Sequence, residues 1–111
     1  MIRIAVIVFG VLLSFAANAQ TVTIGQYLHP KDDMENTFNQ LYLAGTKDGL
    51  FVYNLLTTEK NYCPPKDFVL TTEQADDIVR RWAKKQTFNI EEMVLGQALL
   101  YGLQEIFPCP K

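Results

Sequence analysis

Two residues of this chain have an obvious chemistry open to them. They are Cys63, in Asn61-Tyr62-Cys63-Pro64-Pro65, and Cys109, in Phe107-Pro108-Cys109-Pro110. Free thiolates could attack a substrate or bind metal, and two thiols could instead pair. Pairing is the expectation here, because the first 19 residues read as an export leader and an exported chain meets oxidising conditions. A bridge between Cys63 and Cys109 leaves no thiolate nucleophile. The only histidine is His29, next to Pro30, and neither a C-x-x-C nor an H-x-x-x-H spacing exists to make a zinc site with it. The carboxylate pairs Asp32-Asp33, Asp76-Asp77 and Glu91-Glu92 all fall near expected helix starts, where they complement the helix dipole rather than form an acid/base pair. There is no glycine-rich phosphate loop and no Gly-x-Ser-x-Gly turn. These residues imply no catalytic set, no metal and no cofactor. They point to a binding protein rather than an enzyme.

The leader has the usual parts. Arg3 supplies the positive start, residues 4–17 are apolar without a charge, and Ala17-Asn18-Ala19 is an A-x-A cleavage site. A membrane anchor needs roughly 20 apolar residues, more than this run provides. Cleavage would leave residues 20–111 as one domain with no segment able to span a membrane. Losing Arg3 takes the basic residues from 10 to 9 against 12 acidic ones. That balance disfavours nucleic acid or an anionic membrane surface as a partner. A domain this small buries only about 60% of its unfolded surface and benefits from a covalent brace.

The elements that must position the cysteines read as helices. Residues 20–31 carry no helical period, and Thr21-Val22-Thr23-Ile24 alternates weakly, so an extended segment or short strand is expected. A first main helix begins near Asp32 or Asp33. Met34, Phe38, Leu41, Tyr42, Gly45, Gly49, Val52, Tyr53 and Leu56 recur at intervals of three and four and mark its expected packing face, and Leu43, Leu50 and Phe51 widen the stripe, so burial on more than one side is expected. Gly45 and Gly49, one turn apart, would admit the close approach of another helix. A break near Gly49 is the alternative. Residues 57–70 form a loop that contains Cys63. Thr71 and Gln74 make a capping box for a second helix with Ala75, Ile78, Val79, Trp82 and Ala83 inward. Its outer face pairs Asp76 with Arg80 and Asp77 with Arg81. A third helix is expected from Asn89 as cap, with Glu92 completing the box and Phe88 stapled to Met93. It is apolar almost all round, which suggests either a central position or a two-fold interface through Leu95, Leu99 and Gly102. The alternative is that Val22 and Ile24 cover that side. The whole is an all-α fold, a compact bundle of three main helices with an extended N-terminal segment and one disulfide.

The Cys63 loop is the surface best suited to recognition. It offers Lys60, Asn61, Tyr62 and Lys66 on a backbone that a disulfide would restrain, and rigid loops bind with less ordering cost. Tyr62 and Phe68 could instead pack beneath the loop.

The order of these segments resembles a known family. Tyr42-Leu43-Ala44-Gly45 and Asp48-Gly49-Leu50 lie in the first helix. Cys63-Pro64-Pro65, the capped Thr71-Thr72-Glu73-Gln74 helix and a closing Ala98-Leu99 to Phe107-Pro108-Cys109-Pro110 segment follow. This is similar to the small periplasmic amidase-immunity proteins of type VI secretion, the Tai/Rap family, over residues 39–110. The frame positions Gly45, Cys63, Pro64 and Cys109 carry over. A further cysteine common in the first helix of that family is replaced here by Gln40. The resemblance implies a periplasmic helical domain that occludes a secreted peptidoglycan amidase; a homodimer is suggested by the apolar third helix alone. A small periplasmic stress or chaperone-like protein without a dedicated effector is the alternative.

Overall fold

Thr23 starts the first helix, and it does so with its own side chain. The computed structural model describes residues 21–111, so the expected leader and cleavage site lie outside the described residues. Thr23 Oγ1 accepts from the Gln26 amide at 3.3 Å, and Gln26 Oε1 accepts from the Thr23 amide at 3.0 Å. This reciprocal box opens α1, Ile24–Leu28. The segment expected to be extended is therefore helical for five residues. Among the described residues its strand-like pairing is limited to one antiparallel bridge, between Thr23 and Val94.

Asp32 caps α2, Asp33–Leu56, by accepting from the Glu35 amide at 2.8 Å. The helix runs 24 residues without a break at Gly49, about 36 Å at 1.5 Å per residue. Thr71 and Gln74 cap α3, Thr72–Lys84, with both bonds of the expected box in place. The last helix, α4, is Leu95–Ile106. It starts later than Asn89 because the intervening backbone is committed elsewhere. The amides of Ile24 and Gly25 donate to the carbonyls of Met93 and Glu91, and the Leu95 amide donates to Val22. Asn89 only closes a local turn, through Oδ1 to the Glu91 amide at 3.0 Å.

The fold is all-α, and α3 against α4 is its most extensive contact. The core gathers Val22, Ile24 and Tyr27 from the N-terminal segment, Leu43 from α2, Ile78, Val79 and Trp82 from α3, and Leu95, Leu99 and Leu103 from α4. Leu95 and Leu99 are fully buried, and a Cβ on Gly102 would meet Ile78 Cγ2 at 2.5 Å. The two-fold interface expected through Leu95, Leu99 and Gly102 is thus closed off within the chain, by α3 and by Val22 and Ile24. Arg80 makes the ion pair expected with Asp76. It pairs with both Asp76 oxygens at 3.0 and 3.1 Å and lies over the Tyr27 ring, 5.4 Å from the centroid. Tyr27 donates its hydroxyl to Asp76 and accepts from Gln40 Nε2 at 3.2 Å. Burial first, then the Asp76 bond, pushes the Tyr27 phenol far above its ordinary range, so it stays neutral and ties α1 to α3.

The packing face of α2 differs most from expectation. Met34, Phe38, Leu41, Val52, Tyr53 and Leu56 are exposed. The inward side is built on Asn39, Leu43 and Asn54 instead. Its two amides are satisfied by backbone: Asn39 Nδ2 donates to the Gln26 carbonyl at 3.0 Å and Asn54 Nδ2 to the Tyr62 carbonyl at 2.9 Å. Close helix approach does use glycines, but they are in α4: Gly102 against α3, and Gly96 against α2, where a Cβ would sit 3.2 Å from Thr46 Cγ2. Nothing lies within 4 Å of a Cβ on Gly45 or Gly49.

Candidate binding cleft at the disulfide loop

The end of α2 and the loop after it are held together by two side chains. Asn54 reaches out of the last turns of α2 with both amide atoms used. Its Nδ2 donates to the Tyr62 carbonyl, and its Oδ1 accepts from the Asn61 amide at 2.8 Å. Lys60 folds back over the helix end, where Nζ donates to the carbonyls of Asn54 (2.6 Å), Leu55 (3.1 Å) and Thr57 (2.8 Å). Those carbonyls are the orphan acceptors of a helix C-terminus, and a cation suits the negative end of the dipole.

Cys63 is bonded to Cys109, with the two Cα atoms 4.9 Å apart. The Cys63 amide also donates to the Phe107 carbonyl at 2.8 Å, and the Phe68 ring packs on Phe107 with centroids 4.9 Å apart. Between these anchors the chain turns through residues 65–68, where the Phe68 amide donates to the Pro65 carbonyl at 3.1 Å. Asp67 sits at φ 68°, the left-handed region that asparagine, aspartate and glycine tolerate best.

These constraints leave a cleft of about 730 Å³ between the C-terminal half of α2 and the loop. Phe51, Leu55, Pro64, Phe68 and Val69 supply its apolar walls, and Lys60, Lys66 and Asp67 its polar edge. Its size falls in the range of ordinary ligand and peptide pockets. Phe51, Leu55 and Val69 are exposed there, with Val69 at 75%.

The four recognition residues expected from sequence separate in space. Lys60, Tyr62 and Lys66 line this cleft, while Asn61 faces a second depression with Tyr53 and Thr58. Tyr62 is not a presented aromatic. It is 4% exposed, part of the core, and its burial raises the phenol above the usual tyrosine range. Lys60 is occupied as a helix cap, so of the two lysines Lys66 is the freer. Leu55 and Val69 are not marked by the sequence, and Phe51 is marked only as part of a widened buried stripe of α2, whereas it is exposed here. Their signal was an excess of apolar residues off the main period of α2, together with an unpaired valine at the end of the loop. Among the described residues no cluster of three or more His, Cys, Asp or Glu side chains could hold a metal ion. No described helix is long and apolar enough to cross a membrane.

Asn54 gives a direct test of how the loop is held. Asn54→Ala removes both bonds and leaves the Tyr62 carbonyl and the Asn61 amide unpaired, at about 1–3 kcal/mol each. Urea unfolding should show a loss of about 2–4 kcal/mol. A loss below about 0.5 kcal/mol would mean that the disulfide and Lys60 hold the loop without it.

The disulfide suits an oxidising compartment. No protein-family model, curated protein or solved structure matches the chain.

Proposed function

We propose that this is an exported binding protein of the bacterial periplasm that neutralises a secreted peptidoglycan amidase by occluding its active site. The observation that supports a binding role is the disulfide-braced cleft. Its walls are apolar, one free lysine stands at its edge, and its backbone is fixed at both ends before any partner arrives. Pre-organisation of that kind lowers the ordering cost of association. The amidase as partner rests on the resemblance of residues 39–110 to the type VI immunity proteins. A cell-wall hydrolase active at the periplasmic face would be met in the compartment that an export leader and a disulfide suit.

The chaperone-like reading draws on a different observation, the bare apolar face of α2. It requires weak binding to many unfolded clients, whereas the immunity reading requires one tight folded partner.

The immunity reading requires an amidase gene beside this one, and the test uses that amidase and side chains that are exposed and hold nothing in the fold. Lys66→Glu with Val69→Asp should weaken inhibition by about tenfold or more, roughly 1.4 kcal/mol, at unchanged thermal stability. Asn61→Ala, on the other side of the loop, should leave inhibition nearly intact. Full inhibition by the double variant would move the contact surface away from the cleft. Failure of the wild-type protein to bind the neighbouring amidase would end the immunity reading.

A further inference from the structure

A separate cavity, of about 460 Å³, shares no residue with the disulfide cleft. Three segments meet around it. α1 ends there with Leu28 and His29, α3 passes with Arg80, Ala83 and Lys84, and the segment before α4 adds Ile90 and Glu91. Its volume is that of a small-molecule site. Leu28, Ala83 and Ile90 are half-buried and supply its apolar surface. The charged groups around them come in two sets of opposite sign.

The cationic set belongs to α3. Arg80 and Lys84 are one turn apart and share a side of the helix. Arg80 is held from behind. Both of its hydrogen bonds to Asp76 run through Nε, and its guanidinium carbon lies 5.4 Å from the Tyr27 ring centroid. Asp76 is held in turn by the Tyr27 hydroxyl. Among the described residues the two Nη groups of Arg80 donate no hydrogen bond. They form a rigid planar fork, the geometry that takes a carboxylate through two parallel bonds. Lys84 is exposed and makes no ion pair among the described residues. Asp76 balances Arg80, so Lys84 carries the excess positive charge of this wall.

The anionic group is Glu91, and it is held against α1. Its carbonyl accepts from the Gly25 amide at 3.0 Å, and its carboxylate occupies the space that a Cβ on Gly25 would need. Its Oε1 lies 4.0 Å from His29 Nε2. Among the described residues no lysine or arginine pairs with it, and its side chain is 54% exposed. A simple anion would gain at the α3 wall and lose at Glu91, and a simple cation would meet the reverse. A ligand with a carboxylate, an ammonium and an aliphatic body matches both charged sets and the apolar surface together.

We propose that this cavity binds a small aliphatic zwitterion, an amino acid or dipeptide of the leucine type. The carboxylate sits on the Arg80 fork and Lys84, the ammonium on Glu91, and the side chain on Leu28, Ala83 and Ile90. The proposal is independent of the amidase reading, because the two cavities share no residue and a failure of either leaves the other standing.

The test is an NMR titration of the purified, disulfide-bonded protein at neutral pH with leucine, leucyl-leucine, N-acetyl-leucine and leucinamide. Leucine or leucyl-leucine should shift the amides of Leu28, Ala83, Lys84 and Glu91 with a dissociation constant of about 1 mM, the affinity that so few heavy atoms supply. The tighter of the two shows whether the free amino acid or a peptide is the ligand. N-acetyl-leucine lacks the ammonium and leucinamide the carboxylate, and each should bind about tenfold more weakly. Lys84→Ala should weaken the zwitterion by about the same factor. Glu91→Gln should abolish the preference for leucine over N-acetyl-leucine, a change that a merely structural role would not produce. Both side chains are exposed and make no hydrogen bond within the fold, so circular dichroism should be unchanged in either variant. No shift at about 10 mM of either zwitterion, well above the expected constant, would overturn the proposal. Equal binding of N-acetyl-leucine by the wild type would overturn it in favour of a plain carboxylate site. Binding indifferent to both Lys84→Ala and Glu91→Gln would overturn it in favour of another surface.

Discussion

Replacing both cysteines, Cys63→Ala with Cys109→Ala, is expected to remove about 4 kcal/mol of stability, from a domain whose total is of the order of 5–15 kcal/mol. The bridge joins residues separated by 46 positions, and its main effect in the chain-entropy view falls on the unfolded state. Without it the unfolded chain regains the freedom of that loop. The native geometry has other supports at the same place, the amide of Cys63 on the Phe107 carbonyl and the Phe68 ring on Phe107. The double variant should therefore fold to the same helix content and lose stability without losing shape. Urea unfolding distinguishes the two routes. The midpoint should fall, and the dependence on urea should steepen, because an unbridged unfolded chain exposes more surface. A loss below about 1 kcal/mol would mean that the Phe107 contacts, not the bridge, hold the loop to the C-terminus.

Which parts of this architecture could be read from the residues follows from where each signal is written. The α3 boundary is local: Thr71 and Gln74 cap it in sequence and in space, and no distant group competes for them. The same Thr-x-x-Gln box stands at Thr23 and Gln26, but five residues are too few to show a period, so α1 was read as an extended segment. Asn89 had the composition of a cap without becoming one, because the backbone after it pairs with residues 22–25. That competition is long-range and carries no local mark. For α2 the extent was legible and the face was not. Apolar periodicity reports where the oily side is, and here the inward side holds Asn39 and Asn54, whose amides are satisfied by carbonyls 13 and 8 residues away. The pattern found a true stripe and assigned it to the wrong interior. At the cleft the cysteine pair was legible from type and number alone. The duty of Lys60 was not, because it depends on the last carbonyls of α2 converging on one point.

The second large effect is expected at Trp82, which is 7% exposed between α3 and α4. Trp82→Ala should cost about 3–5 kcal/mol, near the upper end of that range for a geometric reason. The cost of a cavity depends on whether its walls can close, and here they are already as near as the backbone allows. A Cβ on Gly102 would fall 3.6 Å from the Trp82 Cβ and 2.5 Å from Ile78 Cγ2. The helices cannot approach further to fill the space left by the indole. Tyr101 loses its aromatic neighbour as well, a tilted contact with ring centroids 5.7 Å apart in the native protein. Lys84→Ala, two residues along on the opposite, exposed face of α3, should change stability by less than about 0.5 kcal/mol. Equilibrium unfolding of the two variants side by side checks the assignment of inner and outer faces. A Trp82→Ala loss below about 1 kcal/mol would mean that α3 can roll against α4, and that the glycine contact does not fix their separation.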